Sequence, residues 1–158
     1  MPPSSALLAT SASAGRAETP EDWITLGARV HGAFGSFIPV GIRIGLDALQ
    51  RLNAKPREVT AVYYDSDKAP CACVADGVAI ATVASVGQRT LQIASEKAPA
   101  GAMAVIIIRH KRTGEAVKYT VADSWLTKLA EWNKTLAPSG RYEAVMTADG
   151  LFDVTPIK

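Results

Sequence analysis

The stretch KAPCACVADGVAIAT, Lys68 to Thr82, carries both cysteines of the chain, Cys71 and Cys73, with Asp76 close behind. Cysteine acts as nucleophile or metal ligand in its thiolate form, and a helix opening just after Pro70 offers N–H donors and a dipole that stabilise such an anion. Lys68 adds positive charge. Asp76, three residues after Cys73 on the same helical face, suits an acid, a base or a further metal ligand. The competing reading is that both cysteines pack as small apolar residues, since cysteine is among the types most often buried.

The histidines are His31 and His110. His31, Cys71, Cys73 and Asp76 supply enough donors for zinc, although C-x-C is tighter than the usual C-x2-C spacing. His110, flanked by Arg109, Lys111 and Arg112 beside a hairpin tip, is expected at the exposed surface. Two cysteines one residue apart rarely reach disulfide geometry without strain, so free thiols in a reducing compartment are expected. No phosphate-cradling glycine loop with its lysine and no G-x-S-x-G nucleophile elbow is present.

The elements that must position these residues read as one α+β domain, residues 19–158, with N-terminal helices packed on a mostly antiparallel sheet. Thr19-Pro20-Glu21-Asp22 opens a helix with a cap, a proline in the first turn and acids where the dipole favours them. It runs through Trp23, Leu26 and Val30 to the glycine-rich break HGAFGSFIPVGIRIG. Beyond the break, Ile42, Leu46, Leu49 and Leu52 form a helical apolar stripe. Val59 to Tyr64 reads as a strand, Ala72 to Val83 as a helix of small residues, and Leu91 to Ala94 and Ala102 to Arg109 as strands. The turn KRTGE makes a hairpin with Ala116 to Val121. Helices at Trp125 to Trp132 and Gly140 to Thr147 and an extended LFDVTP close the chain.

With 158 residues, 48 % hydrophobic and 20 % charged, the chain suits a single globular core. Its net charge of +2 is spread thinly, which gives no reason to invoke nucleic acid, and its longest apolar run is far short of a membrane span. Residues 1–18, rich in Ala and Ser, read as a disordered tail. The tail lacks the basic residue and apolar length of a signal peptide, so a cytoplasmic location is expected. The glycines Gly32, Gly35, Gly41 and Gly45 flank a helix start whose N–H donors, with Arg43, suit an anion. Close helix packing explains the same small residues equally well.

The run His31-Gly32, then Ile38, Gly41 and Arg43, resembles the first motif of the formylmethanofuran dehydrogenase E-type family, H-G-H-x-C-P-G-L-x-x-G-x-R. Cys73-x-x-Asp76-Gly77, followed by Thr82, Gly87 and Leu91, is similar to the second, C-x-x-D-A-I-Q-x-x-T-G-C-T-x-G-x-x-N-L. The hairpin AVIIIRHKRTGEAVKYTV has the family's look as well, and together these cover most of Thr19 to Leu136. The chain departs from the motifs at Ala33, Gly35, Ala79, Ala84 and Thr90, and the C-terminal zinc ribbon of many members is absent. The resemblance implies bound zinc and a link to molybdenum or tungsten enzymes and one-carbon metabolism. It implies a site of His31, Cys73 and Asp76, with Thr82 and Gly87 toward a cofactor and Cys71 as an addition specific to this chain.

Three functions follow from these readings. The first is a small-molecule or cofactor-handling protein whose pocket, widened by the alanine and glycine replacements, uses Cys73 as nucleophile or ligand, His31 as acid/base and Asp76 to orient it. Cys71, Arg43, Thr82 and Gly87 then contact the ligand. The second is a noncatalytic accessory protein binding a metal or cofactor. The third is an assembly module, a homodimer with Trp23, Phe34 and Phe37 at the interface.

Overall fold

The computed structural model describes residues 17–158, so the expected tail falls almost wholly outside the described residues. Thr19 opens helix α1 (Pro20–His31) with a capping box: its hydroxyl accepts from the Asp22 amide while the Asp22 carboxylate accepts from the Thr19 amide. Gly32, in the left-handed conformation at φ 97°, ends it and leaves His31 as the last helical residue. Helix α2 (Phe37–Arg51) starts earlier than the glycine-rich sequence suggests, which shortens the break to Gly32–Ser36. Strand β1 (Val59–Asp65) leads through a loop into α3 (Cys73–Thr82) and on to β2 (Leu91–Ile93). The chain continues through β3 (Ala102–His110), β4 (Ala116–Ala122), α4 (Trp125–Thr135), α5 (Pro138–Thr147) and β5 (Asp153–Ile157). Pro138, in place of Gly140, opens α5 in the first helical turn, where its missing N–H costs nothing.

The five strands form one sheet in the order β2-β1-β3-β4-β5. All pairs are antiparallel except β1 with β2, which are joined by the crossover helix α3 and therefore run parallel. The expected α+β architecture is thus present in a single domain. Tyr63, Ile106 and Tyr119 lie in register across β1, β3 and β4, and all three are fully buried. The sheet ends on one side at the three-residue β2 and on the other at β5, whose Pro156 lies opposite Val117.

Helix α2 is the central piece: Ile38, Val40, Ile42, Ile44 and Ala48 are all essentially inaccessible to solvent. A helix with so little exposed face must be covered on several sides, here chiefly by α3 and α5. Its closest neighbour is α3, where Gly41 meets Gly77. A Cβ on Gly41 would overlap the Val74 carbonyl oxygen, and one on Gly77 the Ile38 carbonyl oxygen. Polar bonds fix the other faces. Asp47 accepts from the Tyr119 hydroxyl and from Arg51 Nε, both at 2.6 Å, and Arg43 donates to the carbonyls of Val145 and Ala148 at the end of α5.

Two expectations are corrected at this level. His110 is 2 % exposed, because its ring turns into the hairpin and its Nδ1 accepts from the amides of Arg112 and Thr113. Trp23, Phe34 and Phe37 belong to the core of this chain and are not available to a second copy. No helix among the described residues is long and apolar enough to cross a membrane.

Candidate functional site

The loop after the carboxyl end of β1 delivers the cysteines to the start of α3, and the end of α1 delivers His31 to the same place. Cys73 is the first residue of α3 and is buried, whereas Cys71, two residues earlier in the bend, is exposed. The helix has no side-chain cap, so its first amides and its dipole face the sulfur region unshielded by a capping oxygen. Asp76 lies in the first turn, on the face it shares with Cys73 by the i, i+3 spacing.

Asp76 Oδ2 lies 2.7 Å from His31 Nδ1. A carboxylate only accepts, so Nδ1 carries a proton, and the neutral tautomer with its proton there turns the lone pair of Nε2 the other way. That way lies sulfur: Nε2 is 3.8 Å from Cys71 Sγ. The imidazole thus stands between the carboxylate and the sulfur, with Nδ1 donating to Asp76 and Nε2 left open toward Cys71.

The sulfurs of Cys71 and Cys73 are joined as a disulfide, which overturns the expectation of free thiols. The backbone at Ala72, φ −78° and ψ 42°, bends the chain and brings the two Cα atoms to 5.2 Å. That separation is within the range a disulfide accepts, whereas an extended i, i+2 pair lies further apart. Pairing also removes the thiol argument for a reducing compartment.

His31, Cys71, Cys73 and Asp76 therefore converge, and Arg43, Thr82 and Gly87 do not join them. The Arg43 guanidinium is taken up by the α5 carbonyls and lies over the Phe152 ring. The Thr82 hydroxyl is buried and donates to the Val78 carbonyl, and Gly87 borders open space. The cluster sits at the surface, with the side chains of His31 and Asp76 25 % and 39 % exposed. The clefts described on the molecule are lined by other residues. Ala79 and Ala84 line apolar clefts shared with Val30 and Val83, and Gly35 is covered by the Asn133 side chain, so these replacements do not open space around the sulfurs.

Sequence reasoning missed Asn133 and the bond between Cys71 and Cys73. Asn133 Oδ1 accepts from the Ser36 amide at 2.7 Å and ties α4 to the loop after His31. Nothing in the local sequence of α4 signals that contact across the fold. Beside the cysteine loop a cleft of about 440 Å³ is lined by Phe37, Lys68, Pro70, Leu126, Asn133 and Lys134. Lys68, expected to assist the thiolate, instead pairs with Asp123 at 2.6 Å.

None of the curated proteins matches the chain. Residues 30–148 match the family model described as FmdE, molybdenum formylmethanofuran dehydrogenase operon, a span that includes His31 and Asp76 with both cysteines between them. With that span covering most of its length, the chain belongs to the FmdE family.

Proposed function

We propose that this protein holds a soft divalent metal, zinc by its donor set, through His31 Nε2 and the reduced sulfurs of Cys71 and Cys73. The observation that carries the reading is that these three donor atoms lie within 4.8 Å of one another. One imidazole and two thiolates suit zinc, and three protein ligands leave a position open. A tetrahedral zinc spaces such donors about 3.6 Å apart, close to the 3.8 Å between His31 Nε2 and Cys71 Sγ. Asp76 holds the ring in the tautomer that presents Nε2, the carboxylate–histidine pairing common behind metal ligands. A metal bound there supplies Lewis acidity and a polarised water at the open position.

The operon named in the family's description supports an accessory role beside a molybdenum enzyme of one-carbon metabolism. The test is zinc content and affinity of the reduced protein, measured by elemental analysis and by competition with a chromophoric chelator. One zinc per chain is expected, and His31→Ala should weaken binding by more than about 100-fold, since even indirect ligand supports are worth 10- to 100-fold. Reduced wild-type protein that retains no zinc sinks the reading.

A second reading has its own observation, the Asp76–His31–Cys71 line, which is the order of a base-activated thiol. It moves the nucleophile of a small-molecule enzyme from Cys73 to Cys71, beside the cleft lined by Phe37, Pro70, Leu126 and Lys134. Alkylation of reduced Cys71 by iodoacetamide should then be faster in wild type than in His31→Ala. Equal rates remove it.

A further inference from the structure

Two sulfurs bonded to each other are not thiolate donors, so the pair that completes the metal site has two mutually exclusive states. The disulfide is compatible with the fold, because the bend at Ala72 sets the Cα atoms 5.2 Å apart. The two ends of the bond differ in access. Cys71 is exposed beside the half-buried His31, and Cys73 is 6 % exposed at the first position of α3. A nucleophile attacks a disulfide in line with the bond, so one arriving from solvent reaches Cys71 and expels Cys73. The expelled sulfur leaves as an anion at a helix N-terminus, where negative charge is favoured. His31 already faces the pair in the bonded state, with its Nε2 3.8 Å from Cys71 Sγ.

We propose that Cys71 and Cys73 are a dithiol–disulfide couple that gates the metal site, with Cys71 the sulfur at which an incoming thiol enters. The inference rests on the metal-site reading above and adds its regulation. In the reducing direction the thiolate of a small thiol forms a bond to Cys71 Sγ as the bond to Cys73 Sγ breaks, and the electron pair stays on Cys73. A second thiolate then attacks the sulfur of the small thiol, which leaves as its own disulfide and frees Cys71. Two electrons pass from the small thiols to the protein, and their two protons go to the protein sulfurs or, when a metal takes those sulfurs, to solvent. A small disulfide runs the sequence backwards. Cys71 thus supplies both the third donor and the means of withdrawing two donors at once.

The test uses the full chain, oxidised with diamide or reduced with dithiothreitol and then freed of it under argon, with Zn²⁺ alone as probe. Iodoacetamide should add two groups per chain to the reduced protein and none to the oxidised. Reduced protein should bind zinc more than about 100-fold more tightly than oxidised protein, a loss at least as large as that for an indirect support, and diamide should release zinc from the loaded protein. Equal zinc affinity in the two states overturns the gate and leaves the metal site standing. Zinc bound in neither state, with alkylation still switching between states, overturns both. For the point of entry, glutathione disulfide should modify Cys71 in Cys73→Ser at least roughly tenfold faster than Cys73 in Cys71→Ser, because exchange follows access. Equal rates overturn the assignment of Cys71 as the entry sulfur.

Discussion

Asp76 shows how much of the site depends on a residue that need not touch a ligand. Its carboxylate fixes the proton on His31 Nδ1 and so decides which nitrogen faces the sulfurs. Asp76→Ala is expected to lower zinc affinity of the reduced protein about 10- to 100-fold with the fold intact by circular dichroism. Asp76→Asn should lose less, because its amide oxygen still accepts from Nδ1. That Cys73 and Asp76 share a helix face was legible from the i, i+3 spacing alone, and His31 from its place in a family motif. The bond between Cys71 and Cys73 was not, because i, i+2 cysteines rarely reach disulfide geometry and the sequence does not signal the backbone angles at Ala72 that bring them together. His110 was misread for a related reason: its charged neighbours point to solvent, but which way its own ring turns depends on the amides of the turn that follows.

At the scale of elements, the site is held together by the helices behind it. His31 ends α1 and Cys73 begins α3, while α3 is seated on α2 through Gly41 and Gly77. A methyl group at Gly77 meets backbone on α2, which has no rotamer to give way. Gly77→Ala should therefore cost about 2–3 kcal/mol in urea unfolding and weaken zinc binding as α3 shifts. Gly87→Ala borders open space and should stay within about 0.5 kcal/mol. The helix at Thr19-Pro20 and the β3–β4 hairpin were readable because their signals are local: caps, dipole-matched acids and a Thr-Gly tip. The start of α2 was not, since Ser36 takes no side-chain cap bond to its own helix and is held from α4, through Asn133 and the Leu129 carbonyl. The glycines Gly41 and Gly45 were open to two explanations, and the structure assigns both to packing against α3.

For the whole molecule, the buried tyrosines set the alkaline limit. Burial holds the hydroxyls of Tyr63 and Tyr119 well above their ordinary range, and the Asp47 carboxylate beside Tyr119 adds to the effect. A raised folded-state value means that the unfolded chain loses its proton first. The stability is complete below about pH 10 and falls as pH rises beyond it, by up to about 1.4 kcal/mol per pH unit for each tyrosine. Urea unfolding at rising alkaline pH should show this slope, and Tyr63→Phe should reduce it. Zinc acts on the same balance from the other side. At 1,000 times its dissociation constant it should add about 4 kcal/mol to the reduced protein, read as a higher Tm that chelation reverses.

The two borders of the sheet bear on how copies of this protein can meet. β2 offers only three residues to a newcomer, and β5 carries Pro156, which has no N–H to donate. Neither border is a good template for another strand. Growth of the sheet from molecule to molecule, the route to fibres, is blunted at both ends even though Ile93, on the short border strand β2, is one of the exposed large apolar side chains, with Leu26, Val30, Val83 and Val86 outside the sheet.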